Sequence, residues 1–242
     1  MNLLEITRFS ALDYHAKEAI NTLCTNLFFT GGDLKKIMIT SCRPQEGKSF
    51  VAMHLLRSLA ELGKKVVLVD ADIRASALTG TYGIHTQGCQ NGLAHYLVGL
   101  CDMDDVVYST NFENASMVLC GKHVSNSLQL LNSPKFSALL DKLAQTHDLV
   151  LVDAPPVGTI IDAAQIARFC DGTIFVVESN LVSRRELADS MRQIEKASCP
   201  ILGTVLNKFD INSYSAKKHY YKSYYTQYDS SLKSRRRVKP SE

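Results

Sequence analysis

Five short runs of apolar residues divide the chain: KIMITS at 36–41, KVVLVDAD at 65–72, DLVLVDAP at 148–155, TIFVVES at 173–179 and ILGTVLNK at 201–208. In each run Val, Ile and Leu follow one another almost without polar interruption. A strand with one wet face alternates, whereas a strand covered on both faces does not. The runs therefore predict the buried strands of a parallel sheet. A sixth run, SMVLCG at 116–121, is weaker.

Between the runs the apolar spacing lengthens to that of a helix. Val51, Leu55, Leu59 and Leu62 fall on one stripe of segment 49–62, Gly63 stops it, and Lys64 and Lys65 suit its C-terminal end. Ser183-Arg-Arg-Glu186 has the form of a capping box opening a helix that runs to about Ala197. Segments 136–145 and 163–169 predict two more helices, and residues 8–30 a helical lead-in. Strand–helix alternation along one chain predicts an α/β fold, with a doubly wound, mostly parallel sheet and helices on both faces. After Asp210 the pattern stops. The expected organisation is a lead-in at 1–30, a folded body at 31–211 and a tail at 212–242 with almost no aliphatic residues. Such a tail cannot offset its ordering entropy by burial, so disorder is expected there.

Composition narrows the setting. Hydrophobic residues make up 45% of the 242, enough for a sizeable core. No apolar stretch approaches the ~20 residues that span a bilayer, and residues 1–7 show no basic segment leading into an apolar run. An aqueous compartment is expected. The seven cysteines include no C-x-x-C pair, which favours reduced thiols over a disulfide framework or a zinc site. Charge is uneven. Residues 212–242 carry eight Lys or Arg against Asp229 and Glu242, a net of +6, so the rest of the chain sums to −3. The basicity belongs to the tail and speaks of that tail's partner.

The strongest chemical signal follows the first strand, in TSCRPQEGKSF at 40–50. Gly47-Lys48-Ser49 opens an amphipathic helix directly after a strand and a tight loop. Backbone amides and the helix dipole converge at such a place on an anion. Lys48 is the candidate for the β- and γ-phosphates and Ser49 for Mg²⁺. Cys42 stands where the full G-x-x-x-x-G-K-[ST] pattern has its first Gly, and an ordinary loop is the alternative. Glu46 is expected to point away from the phosphates. In VVLVDADIR, Asp70 and Asp72 end a buried strand, where ligands of parallel sheets bind. Helix capping or a salt bridge with Arg74 is the alternative for them. In LVLVDAPP, Asp153 has the form of a Walker B aspartate supporting the metal, while Asp162 reads as an N-cap. One Lys, one Ser and two or three Asp at the ends of three strands are the parts that phosphoryl transfer needs.

With a tyrosine-rich tail beside these motifs, the sequence resembles the bacterial tyrosine kinases of polysaccharide export, or BY-kinases. PQEGKS looks like their Walker A loop, VVLVDADIR like their Walker A′ element, LVLVDAPP with IIDAA like their Walker B region, and GTVLNK like their last strand. The resemblance implies ATP and Mg²⁺ as cofactors. It implies nucleotide contacts from Pro44, Glu46, Gly47, Lys48, Ser49, Phe50 and Asn207, metal contacts from Ser49, Asp70 and Asp153, and catalytic roles for Lys48, Asp70, Asp72 and Asp153. It implies a homo-oligomer and a transmembrane activator of the chain-length-determinant type that acts through its cytoplasmic segment. It also implies a tyrosine phosphatase as counterpart, a cytoplasmic place at the inner face of the plasma membrane, and no nucleic acid.

Three positions depart from the family pattern. Gln45 replaces a loop Gly, which costs about 1–3 kcal/mol if the backbone there needs a positive φ. The E-x-x-R-x-x-R motif that supports ring-shaped oligomers reads with Asn21 and Cys24 in place of its arginines. DIRAS, ending at Ser76, replaces D-L-R-R-P.

Six of the ten tyrosines, Tyr214, Tyr220, Tyr221, Tyr224, Tyr225 and Tyr228, lie in the tail and become the implied phosphoacceptors. A phenol of pKa near 10 needs a base, for which Asp70 is the candidate with Asp72 assisting. A basic aromatic tail alone would also suit anionic lipid or single-stranded nucleic acid. Two other readings of the body remain. One is a partition or division-site ATPase, against which stands the missing early lysine of K-G-G-x-G-K-[ST]; Arg43 is the nearest basic residue. The other is a nucleotide-binding regulator without transfer activity.

Overall fold

The chain folds into nine strands and eight α-helices among the residues that this computed structural model describes, which are 2–29, 34–86, 88, 90–122, 124, 126–158 and 161–210. The strands are β1 (Asn2–Ile6), β2 (Lys36–Ser41), β3 (Val66–Asp70), β4 (Ile84–Thr86), β5 (Val107–Thr110), β6 (Ala115–Val118), β7 (Leu149–Asp153), β8 (Gly172–Glu178) and β9 (Ile201–Asn207). The helices are α1 (Tyr14–Phe29), α2 (Lys48–Glu61), α3 (Leu78–Tyr82), α4 (Leu93–Val98), α5 (Ser127–Leu131), α6 (Pro134–Thr146), α7 (Asp162–Ala167) and α8 (Arg184–Glu195). Met1–Asn207 form one compact unit.

The strands make a single sheet in the order β4-β1-β5-β6-β3-β7-β2-β8-β9. From β6 to β9 every neighbouring pair is parallel. The other end is mixed: β5 runs antiparallel to β6 and β4 antiparallel to β1. Four of the five strong apolar runs became buried central strands, and the weaker sixth became β6. The fifth, expected to be covered on both faces, became β9, a parallel strand at the sheet edge with none of its residues buried and Leu206 56% exposed.

Alternation within each run divides the core in two. Met38, Val67, Val69, Val150, Val152, Phe175 and Val177 face a cluster that includes Phe136, Leu139 and Leu143 of α6. Ile37, Ile39, Val66, Leu68, Leu151, Ile174 and Val176 face the other, built on Val51, Leu55 and Leu59 of α2. Both faces of the central strands are therefore dry, which is why their runs do not alternate in polarity. Each fully buried Val, Leu or Ile contributes about 1.5–3 kcal/mol of transfer free energy.

Helix α2 ends as its sequence suggests. Gly63 takes φ 80°, its amide donates to Ala60 O at 2.9 Å, and the Lys64 amide donates to Leu59 O at 3.2 Å. This double closure satisfies carbonyls the helix leaves open. Leu62, placed on the apolar stripe by its spacing, instead lies past the helix end and is 60% exposed. The Ser183 cap forms by half. Its hydroxyl accepts from the Glu186 amide at 3.2 Å, but the Glu186 carboxylate turns to Arg43 rather than back to the cap.

The amino-terminal region differs most from expectation. Residues 2–6 form β1, with Leu4 and Ile6 inward and Leu3 exposed, before α1 begins at Tyr14. Of the positions matching the ring motif, Glu18 and Asn21 are exposed, whereas Cys24 is fully buried beside Ile20.

Candidate active site

Three loops leave the carboxyl ends of β2, β3 and β7, which are neighbours in the order β3-β7-β2. The loop after β2 turns tightly. Gln45 sits at φ 66° and Gly47 at φ 93°, so the left-handed conformation anticipated at position 45 is present without a glycine to relieve it. Gly47 ends the turn as the N-cap of α2 and supplies no side-chain cap. That leaves the helix terminus and its dipole facing the loop as an anion cradle.

The cradle is fastened from several sides. The Glu46 carboxylate is buried, and both its oxygens are engaged by backbone: Oε2 accepts from the Arg43 amide at 2.6 Å and Oε1 from the Glu178 amide of β8 at 3.1 Å. Asn207, ending β9, donates from Nδ2 to the Glu46 carbonyl at 2.8 Å. A Cβ added at Gly47 would come within 2.0 Å of that Nδ2. The Gly158 amide donates to the Cys42 carbonyl at 3.1 Å, and a Cβ on Gly158 would lie 2.5 Å from the same oxygen. Arg43 forks onto Glu186 of α8 through Nε at 2.6 Å and Nη2 at 2.8 Å. Pro44 and Phe50 remain on the surface, with the Phe50 ring tilted against His54 at 4.4 Å between ring centres.

Inside the cradle the charged residues meet. Lys48 Nζ lies 3.2 Å from Ser49 Oγ, 3.5 Å from Asp72 Oδ2 and 3.6 Å from Asp153 Oδ1. Asp70 and Asp153 are paired in register on β3 and β7, and both are buried. Burial works to lower the Lys48 pKa, but Asp153, Asp72 and Asp70 outweigh it and raise it. Burial raises the Asp153 carboxyl against the pull of Lys48. Asp70 is pushed up to about 7 by burial and then by Asp153, while its hydrogen bond from Ser76 acts in the opposite direction. These two carboxylates are held where burial and a neighbouring carboxylate's charge disfavour ionisation, an arrangement that clusters at functional sites.

Asp70 Oδ1 and Asp153 Oδ1 are buried without a hydrogen-bond partner, and of the two only Asp153 Oδ1 faces Lys48 Nζ, at 3.6 Å. Orphaned acceptors of this kind, beside the Ser49 hydroxyl, fit a hard divalent cation. Among the described residues no three His, Cys, Asp or Glu form a self-sufficient metal cage. Mg²⁺ does not need one, because it keeps several waters and completes its shell with phosphate oxygens.

Arg74 does not pair with Asp70 or Asp72. It reaches Asp162, whose buried carboxylate accepts from Arg74 Nε at 2.7 Å and from Ser127 Oγ at 2.5 Å. Asp162 is therefore not the N-cap that its place in the sequence suggested: Ile161 holds that position, Asp162 is the first residue of α7, and its carboxylate bridges the loop after β3 to α5. Ser76 and Glu178 also serve the site and carried no motif, and Glu186, read from the sequence only as part of a capping box, serves it through Arg43. The six tail tyrosines lie outside the described residues.

The sequence matches the AAA domain family over residues 34–202. It is 34% identical over 209 residues to the tyrosine-protein kinase CpsD of Streptococcus agalactiae serotype III, covering 84% of this chain and 89% of that one. It is 36% identical over 197 residues to the CpsD of Streptococcus pneumoniae, covering 81% and 86%. The kinase domain of the Escherichia coli tyrosine kinase ETK superposes with a TM-score of 0.75 at 29% identity, over 82% of this chain and 79% of that one. Fold, P-loop and relatives agree, and the chain belongs to the bacterial tyrosine kinase, or BY-kinase, family.

Proposed function

We propose that this chain is an ATP- and Mg²⁺-dependent protein-tyrosine kinase that phosphorylates the tyrosines of its own C-terminal tail. The observation that carries the reading is the meeting of Lys48, Ser49, Asp72 and Asp153 in one buried cluster, with orphaned oxygens on Asp70 and Asp153. In this reading the loop amides and Lys48 bind the β- and γ-phosphates. Ser49 and Asp153 would hold Mg²⁺, which neutralises charge on the transferring group, while Asp70 Oδ1 is left to face the phenol. Asp72 keeps Lys48 in place. The phenolic oxygen bonds to the γ-phosphorus, the bond from that phosphorus to the β–γ bridging oxygen breaks, and ADP departs. The phenol's proton goes to Asp70.

Asn207 sits against the P-loop, and Tyr214 follows only a few residues later. So short a connection leaves little slack for turning back, which favours transfer between subunits of a homo-oligomer. Each phosphate adds about −1.5 to −2, so roughly four of them cancel or invert the tail's +6. Phosphorylation would then release the tail from an acidic neighbour and switch both assembly and the contact with a membrane activator. Among the described residues no helix is long and apolar enough to cross a membrane. In this reading contact with the membrane comes through that partner, and the process served is capsular or exopolysaccharide synthesis and export, as the family resemblance implies.

The test is incubation with γ-labelled ATP and Mg²⁺, with and without the activator's cytoplasmic segment. Label on tail tyrosines is expected, with a rate that rises faster than linearly with protein concentration. Phosphate release without labelling would make the chain an ATPase, and neither would make it a nucleotide-binding regulator.

A further inference from the structure

Ser76 belongs to no nucleotide motif, yet its hydroxyl donates to Asp70 Oδ2 deep in the site. The same hydroxyl accepts from the Leu78 amide at 3.2 Å, and the Ser76 amide donates to the Asp72 carbonyl at 3.0 Å. The residue is thus held on both sides by backbone, and its single hydroxyl proton is committed to Asp70. The two oxygens of Asp70 are thereby made different. Oδ2 is occupied, whereas Oδ1 is buried and has no hydrogen-bond partner. A carboxylate can rotate and exchange its oxygens, and a charge-assisted hydrogen bond to one of them suppresses that rotation. In the family pattern D-L-R-R-P a proline stands at this position, and its side chain has no hydroxyl to donate.

We propose that Ser76 is a positioning residue for phosphoryl transfer: it holds Asp70 Oδ2 so that Oδ1 is the oxygen presented to the reacting hydroxyl. This rests on the assignment of Asp70 as base made above. Helix capping does not account for Ser76, because α3 has only five residues and the buried partner of the hydroxyl proton is a carboxylate at the foot of the cleft. A well-placed base must lie within hydrogen-bond reach of the proton it takes, and small misplacements are costly in rate.

The experiment measures phosphotyrosine formation and phosphate release together for wild type, Ser76→Ala, Ser76→Thr, Asp70→Asn and the Ser76→Ala/Asp70→Asn double variant. Nucleotide affinity is followed by a fluorescent ADP analogue and folding by thermal melts. Ser76→Ala is expected to lower kcat about 10- to 100-fold while nucleotide affinity stays within about twofold. Ser76→Thr, which keeps the hydroxyl, recovers kcat to within about threefold of wild type. In the Asp70→Asn background the alanine change adds nothing, as expected for residues acting as one unit. A wild-type kcat for Ser76→Ala overturns the proposal. So does a loss seen mainly in nucleotide affinity, additivity with Asp70→Asn, or a folded Ser76→Thr without recovery. If wild type releases phosphate but labels no tyrosine, the kinase reading fails alone, and the Ser76 pattern is scored on phosphate release. If wild type does neither, both ideas fall.

Discussion

Asp70 and Asp153 end adjacent parallel strands in register, and each keeps one buried oxygen without a hydrogen-bond partner. A fold selected for stability alone would not hold two such groups side by side. The cost is offset in part by Lys48, which lies 3.6 Å from Asp153. Burial nevertheless raises the Asp153 carboxyl above its ordinary range, so the charged form is disfavoured on balance. Because Lys48 keeps Asp72 and Asp70 as counter-charges, replacing Asp153 by Asn should stabilise the nucleotide-free protein by about 0.5–2 kcal/mol, read from the urea midpoint. Tyrosine labelling should fall roughly 100-fold or more in the same variant. A variant that is both less stable and inactive would show that the aspartate supports the fold rather than straining it.

The same orphaned oxygens make a prediction about ligands. Nucleotide and Mg²⁺ should stabilise the protein together more than either does alone. At a hundredfold excess over Kd the gain is about 2.7 kcal/mol. Thermal melts with ADP, with Mg²⁺, with both, and with both plus EDTA measure it. The joint increment should vanish in Ser49→Ala and in Asp153→Asn, whereas the increment from ADP alone should survive. An EDTA-insensitive shift would remove the metal from the site.

Gln45 holds φ at 66° in a loop that glycine would occupy without strain. A left-handed L-residue costs about 1–2 kcal/mol, and glycine returns part of the gain as unfolded-state entropy, about 0.5–1 kcal/mol. Gln45→Gly should stabilise the protein by a net of about 0.5–1 kcal/mol. Denaturant unfolding checks it, and a destabilised variant would mean that the Gln45 side chain contributes more than its backbone costs.

Gly47 and Asn207 are fitted to one another. Any Cβ at position 47 meets Asn207 Nδ2, and φ there is 93°. Gly47→Ala should cost about 2–4 kcal/mol through strain and the lost bond to Glu46, and nucleotide binding should weaken with it. Adding Asn207→Ala makes room for the methyl but not for the backbone angle. The double variant should therefore recover part of the loss, with a coupling of about 1 kcal/mol in a double-mutant cycle. Strict additivity would mean that the two residues do not share the loop.

Much of this fold was written in local pattern, because a strand buried on both faces is an uninterrupted apolar run. Strands β1, β4 and β5 were not, because each is short, lies in the mixed end of the sheet and carries polar residues such as Glu5, His85 and Ser109. The phosphate loop was legible for a similar local reason, as strand, turn and helix start are contiguous. Its fasteners were not. Glu178 and Glu186 reach the loop across more than a hundred residues of chain, and such contacts leave no spacing to read. Ser76 was hidden differently. It is near Asp70 in sequence, but a single serine after a strand has too many ordinary uses to signal one.

His54 offers a test that leaves the chemistry untouched. It lies on α2 between the rings of Phe9, at 4.5 Å, and Phe50, at 4.4 Å. Burial, and then the charge of Arg57, push its pKa from 6.5 down to about 4. It lines a cavity of about 160 Å³ with Lys17, Arg57 and Glu61, so two cations and one anion share its surroundings. In the fold the ring stays neutral to about pH 4, whereas in the unfolded chain it takes a proton near 6.5. Between those values the unfolded state binds more protons, so this residue's contribution to stability is complete above pH 6.5 and is lost as pH falls towards 4. The loss amounts to about 3 kcal/mol over that span. Asp70 works in the opposite direction, because its carboxyl is raised to about 7 and its charge is relieved as pH falls. The slope of the wild-type curve alone is therefore ambiguous, and the difference from His54→Gln is the proper measure, since Asp70 is common to both proteins. That difference should be flat above pH 7 and should shrink in the wild type's disfavour between pH 6.5 and 4.5. Parallel curves over that range would mean that the imidazole titrates in the fold as it does in water.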